Sequence, residues 1–97
     1  MEHIRIATYR SKEGTTFTDI ANQAKDGMLT AFRTEPGFRR YELADLGNGE
    51  AVSISLWESR EAAERGTTLA KDWVGQNMAS KIDLVSNRVG DLAFSEK

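Results

Sequence analysis

The chain contains no cysteine. That excludes disulfides, thiolate nucleophiles and cysteine-based zinc sites, and it fits a reducing compartment. Histidine occurs once, as His3 near the start, where an ordinary surface role is expected. Proline occurs once, as Pro36. No run approaches the ~20 apolar residues that a membrane helix needs. The first ten residues carry His3, Arg5 and Arg10 and no apolar run of signal-peptide length. Net charge is −2 with a pI near 5.4, and no basic stripe follows a helix. The expectation is a cytoplasmic domain with no nucleic-acid and no membrane partner. No carboxylate pair, metal-ligand spacing, phosphate loop or Ser/His/Asp set stands out. No metal site is expected, and the catalytic residue, if there is one, stays unknown.

What is present centres on residues 48–62. Asn48-Gly49 is a strong hairpin signal, because a type I′ turn needs positive φ at both central residues. After it Val52, Ile54 and Leu56 alternate with Ala51, Ser53, Ser55 and Trp57, the period of a strand. A two-residue loop sets Gly47 against Glu50. Stepping outward without interruption then pairs Asp45 with Val52, Leu43 with Ile54 and Tyr41 with Leu56. That register gives an apolar, helix-facing side of Leu43, Tyr41, Val52, Ile54 and Leu56.

The rest reads outward from the hairpin. His3 to Arg10 alternates as a strand, with Ile4 and Ile6 on one side. Thr15 or Thr16 caps a helix whose stripe runs through Phe17, Ile20, Ala24, Met28 and Phe32. Gly27 inside it suggests close packing or room for a ligand. Pro36 ends the helix near Glu35. Ser59 caps a second helix, and Gly66-Thr67-Thr68 predicts a break or kink within it. A last strand is expected from about Ser86 to Ser95, with Gly90 as a bulge. The chain is long enough for one domain, residues 1–97. Strand, helix, strand, strand, helix, strand is the split βαβ order. The fold class is therefore α+β, ferredoxin-like βαββαβ, with a four-stranded antiparallel sheet whose second and fourth strands are outermost. Both helices cover one face. The other is expected to carry Ala51, Ser53, Ser55 and Trp57, with Arg40, Ala44 and Leu46 and with His3, Arg5, Ala7 and Tyr9 by alternation. That face would pack on its copy in a homodimer, with the final strand, ending Leu92-Ala93-Phe94, packing across on the partner.

Glu35-Pro36-Gly37-Phe38 leading into the second strand and Leu56-Trp57-Glu58-Ser59-Arg60-Glu61-Ala62 closing the third are similar to a known pattern. The alternating stretch from Ser86-Asn87-Arg88-Val89 onward fits it too. With these segments the chain resembles the antibiotic biosynthesis monooxygenase-like proteins of the dimeric α+β barrel superfamily. The resemblance implies a homodimer of facing sheets and a pocket between sheet and helices. It also implies activities that include cofactor-free oxidation of aromatic quinols, and haem degradation in one branch. That branch has an asparagine, a tryptophan and a histidine where this chain has Ala7, Gly66 and Gln76, so its route is not expected here.

The resemblance points to a cofactor-independent oxidation of a small aromatic or quinol ligand, with no cofactor. The alternative is a non-catalytic ligand-binding or regulatory dimer. Substrate-binding candidates are Trp57 and Trp73 as ring platforms, Tyr9 and Tyr41 as proton relays, and Phe32 and Met28 as pocket walls. Arg5 and Arg40 are candidate anion partners. Three of the aromatics have simpler roles open to them: Trp73 at helical spacing and Tyr41 in the apolar register as core, and Trp57 stacked on Arg40 as an exposed pair.

Overall fold

The computed structural model of the protein describes residues 1–96. Strands β1 (His3–Ser11), β2 (Phe38–Gly47), β3 (Glu50–Trp57) and β4 (Ile82–Asp91) form one antiparallel sheet in the order β2-β3-β1-β4. The second and fourth strands are outermost, as expected. Between β1 and β2 runs a helical stretch: α1 (Phe17–Gln23), a π-helical turn (Ala24–Met28) and α2 (Leu29–Arg33). The second crossover is α3 (Arg60–Asn77). Both crossovers lie on one face of the sheet, and the core fills the space between.

The helix ends form where their capping residues stand. Thr16 accepts from the Asp19 N–H at 3.2 Å and Ser59 from the Ala62 N–H at 3.2 Å. The buried residues of the first run are Ile20, Ala24, Met28 and Phe32, each four apart. In a pure α-helix each such step drifts by about 40° around the axis. The wider π turn takes up that drift and keeps the four side chains in line over the sheet.

The helix-covered face is the reverse of the one expected for β1 and β3. Arg5, Ala7 and Tyr9 of β1 and Ala51, Ser53, Ser55 and Trp57 of β3 are buried beneath the helices. Ile4, Ile6 and Thr8 pair across β1–β3 with Leu56, Ile54 and Val52 on the open face. The hairpin explains how the outer strand keeps its own assignment. Asn48 and Gly49 have φ of 54° and 79°, the type I′ turn, and Gly47 does oppose Glu50. Leu46 then has no partner, because Asp45 pairs with Ala51. Gly47 adopts φ 82°, and its N–H bonds the Asp45 carboxylate at 2.9 Å. This bulge shifts the register by one. Leu43 therefore opposes Ser53 and Tyr41 opposes Ser55. Tyr41 and Leu43 face the helices as expected, with a different row of β3.

The small residues explain the choice of face. Ala7, Ala51, Ser53 and Ser55 leave depth for Trp57, Phe32, Tyr9 and Met28 in a layer that aliphatic strand residues would overfill. Trp57 does not stack on Arg40, which pairs with Leu56 on the open side. Its ring is fully buried, edge-to-face with Phe32 at 5.1 Å, and its N–H donates to Ser55 Oγ at 2.8 Å.

α3 is continuous where a break was expected. Thr67 and Thr68 return their hydroxyls to the Ala63 and Glu64 carbonyls. Gly66 faces inward as the notch that takes Trp57: a Cβ there would sit 2.2 Å from the indole. The last strand begins at Ile82, earlier than expected, and its irregularity lies opposite Thr8 and Tyr9 rather than at Gly90. Phe94 lies beyond it and is exposed.

Candidate functional site

The sheet–helix layer does not close completely. A cavity of about 20 Å3 remains beneath α1, the π turn and α3. Tyr9, Tyr41 and Leu43 line it from the sheet, Met28 from the π turn, Trp73 from α3 and Met78 from the residue that ends it. The lining is almost wholly apolar, and the space holds about one water. Two surface grooves adjoin it. One of about 300 Å3, between α3 and β4, shares Tyr9, Val74 and Ile82 with the cavity. The other, of about 150 Å3, shares Ala24, Tyr41 and Leu43.

Four of the six sequence candidates meet here: Tyr9, Tyr41, Met28 and Trp73. The other two, Phe32 and Trp57, are fully buried beside it in the larger aromatic cluster. Phe32 backs the cavity wall by packing edge-to-face on Tyr41 at 5.2 Å. Trp73 is half-buried and rests on Gly27, where a Cβ would lie 2.5 Å from the indole. Gly27 thus allows close approach of helix backbone and ring.

Behind the two tyrosines lies a polar group. Arg5 is 1% exposed. Its Nε donates to Asn87 Oδ1 at 2.7 Å and its Nη2 to the Tyr9 hydroxyl at 3.4 Å. Nη1 is buried with no partner. Arg5, Ala7 and Tyr9 stand on one side of β1, and Asn87 pairs with Ala7 on β4. The small Ala7 side chain leaves the guanidinium room to reach Tyr9. Among the described residues no carboxylate forms an ion pair with Arg5. Arg40, the other proposed anion partner, is exposed on the outer strand near Glu42. His3 lies at the sheet's end, 2.6 Å from Asp91.

Burial pushes the Tyr41 hydroxyl up to about 12, against the opposing pull of its Ser53 hydrogen bond. Tyr9 adds a smaller upward push and the Arg5 charge a downward one. Tyr41 is therefore a neutral phenol at any physiological pH, suited to donating a hydrogen bond and not to taking a proton. Asn87, Ser53 and the apolar ceiling of Val74 and Met78 were not singled out from sequence. Their only signal was position: Ser53 in the β3 alternation, and Val74 and Met78 at helical spacing with Trp73.

Among the described residues no group of three or more His, Asp or Glu could hold a metal ion, and no helix is long and apolar enough to cross a membrane. The arrangement offers an apolar wall, two phenols and one buried cation.

Comparison with solved structures finds the same fold widely. NE2512 from Nitrosomonas europaea, a protein of unknown function, superposes with a TM-score of 0.77 at 13% identity, over 99% of this chain and 93% of that one. SnoaB from Streptomyces nogalater, a cofactor-independent oxygenase, gives 0.74 at 12% identity, over 97% and 95%. Rv0793 from Mycobacterium tuberculosis gives 0.72 at 20% identity over the whole of both chains. Comparison with curated proteins finds no match. The antibiotic biosynthesis monooxygenase family model matches residues 3–73, from β1 through most of α3. With that match over most of its length, the chain belongs to the antibiotic biosynthesis monooxygenase family.

Proposed function

We propose that the protein is a cofactor-independent oxygenase of a small phenolic or quinol ring, bound between sheet and helices. The observation that carries this reading is the cavity walled by Tyr9, Tyr41, Trp73 and Met28, with Arg5 behind it. Membership of the family supports it. An electron-rich phenol supplies its own electrons once deprotonated, so the protein must bind the ring, move a proton and stabilise an anion. Trp73 and Met28 contact the ring. The Tyr9 oxygen accepts from Arg5, which leaves the Tyr9 O–H free to point at a ligand oxygen. Tyr41 donates as a neutral phenol. Dioxygen is the oxidant: one oxygen atom becomes a carbonyl oxygen on a ring carbon, and the other leaves as water with the two hydrogens given up by that carbon and the phenol O–H.

The working unit in this reading is a homodimer. Ile4, Ile6, Val52, Ile54 and Leu56 form an aliphatic patch on the sheet face that no helix covers. Ile6 is 40% exposed there. An isologous copy would cover this patch.

Oxygen uptake with hydroquinones and anthrone-type phenols, without added metal, tests the reaction. Uptake above buffer that falls in Trp73→Ala supports it. No uptake at high protein concentration ends the oxygenase reading for that panel. A second reading, a non-catalytic small-ligand-binding or regulatory dimer, is favoured by Ala7, Gly66 and Gln76, which stand where one catalytic branch of the family has its asparagine, tryptophan and histidine. It predicts a ligand-dependent rise in Tm with no oxygen consumed.

A further inference from the structure

Arg5 poses a problem that the fold does not solve. A guanidinium cannot lose its proton inside a protein. Removing a charge from water is costly unless a partner of opposite sign is present. Here the partners are an amide, Asn87, and a phenol, Tyr9, the second at a long 3.4 Å. Nη1 has none. The neighbouring Tyr41 is neutral. The helices above the cavity contribute Ile20, Ala24, Met28, Trp73, Val74 and Met78, none of them ionisable. The charges in the adjoining grooves are Lys71 and Asp83 in one and Lys25 in the other.

We infer that the sheet–helix layer stores one uncompensated positive charge and that its ligand is an anion: an aromatic ring bearing a carboxylate, whose charge is met by Arg5. The inference rests on the reading of the cavity as a ligand site, and it deepens that reading by fixing the ligand's charge. It does not depend on catalysis. Nε and Nη2 of the Arg5 fork are held by Asn87 and Tyr9, so the cation is preorganised. The ligand-free space fits about one water, so a ring must displace the flexible side chains of Met28 and Met78 or lift Trp73 from its glycine notch. The groove sharing Tyr9 with the cavity opens to solvent between α3 and β4.

Two measurements test this, and neither needs turnover. In the first, 2-naphthoate and its neutral amide, 2-naphthamide, are compared on the wild-type protein by thermal shift at equal concentrations. The carboxylate should raise Tm and the amide should raise it less. An equal response, including no response to either, overturns the inference. In the second, Arg5→Met replaces the cation by an apolar chain of similar length. With no ligand present this variant should melt higher by ~4 °C or more, at fixed protein concentration, because a stored charge has been removed. It should also lose the preference for naphthoate. If Arg5 were only a structural strut, Arg5→Met would melt lower or fail to fold. A lower Tm, or naphthoate selectivity that survives, overturns the inference; failure to fold does so too. Anion selectivity through Arg5 without oxygen uptake would retain the inference and discard the oxygenase.

Discussion

Replacing Gly66 by alanine tests the packing at the centre of this fold, because local and tertiary effects have opposite signs. Gly66 lies inside α3, away from its ends. In an isolated helix the change to alanine stabilises by ~1 kcal/mol. In the structure the new methyl would lie 2.2 Å from Trp57 Cζ2 and 2.6 Å from Cη2. Those atoms belong to a fully buried ring, not to a mobile tip. The ring is clamped edge-to-face by Phe32 and Phe38, at 5.1 and 5.4 Å, and tied to Ser55. Overfilling such a site typically costs ~1–3 kcal/mol. Disturbing the aromatic pairs and the indole hydrogen bond adds ~1–2 kcal/mol. After the helix gain is subtracted, a net loss of ~2 kcal/mol is expected, or a fall in Tm of ~8–16 °C for a domain of this size. Urea unfolding followed by far-ultraviolet circular dichroism measures it. Gly75→Ala is the internal control: it lies in the same helix with nothing within 4 Å of its Cβ position, and should gain up to ~1 kcal/mol. If Gly66→Ala is as stable as Gly75→Ala, Trp57 does not occupy the notch and the assignment of the covered sheet face is wrong.

Two further outcomes follow from the same faces. Tyr41 is pushed from its ordinary value of 10 to about 12, so its neutral form contributes stability that is complete below pH 10. That contribution is lost as pH rises from 10 to about 12; Tyr41→Phe should show a smaller loss over that window in alkaline urea titrations, and an unchanged loss would refute the burial of the hydroxyl. On the open face, Ile54→Asp should raise the dimer dissociation constant by at least ~100-fold in sedimentation equilibrium, since a carboxylate would be buried without a partner. The chain should remain folded, whereas a full dimer would show that the aliphatic face is not the interface. Ser55, expected on that face, lies instead beneath the helices, so Ser55→Arg would disturb the core.

The elements themselves were legible because local chemistry determines them. Thr16 and Ser59 cap whatever helix follows them, Pro36 ends one, and Asn48-Gly49 supplies positive φ on its own account. Period-two alternation identified the strands and, with the right-handed crossover rule, their order. Which side of the sheet meets the helices is not a local property. Alternation shows that two faces differ, and where an aliphatic face is left uncovered by the helices, it does not identify the core. The choice fell to volume: small Ala7, Ala51, Ser53 and Ser55 accommodate the bulky layer that aliphatics would overfill. One extra residue at Leu46 turned the outer strand relative to its neighbour. Gly66, which reads as a break, and Gly27, which reads as close packing or room for a ligand, are notches for Trp57 and Trp73, because which ring uses a missing Cβ appears only when a distant segment arrives. The candidate site divides in the same way. Tyr9, Tyr41, Trp73 and Met28 could be chosen by residue type and period. That Arg5 is buried beside them, without a counter-charge, is decided by the pairing of β1 with β4 and by the helices above, since burial of a charge is a property of the whole fold.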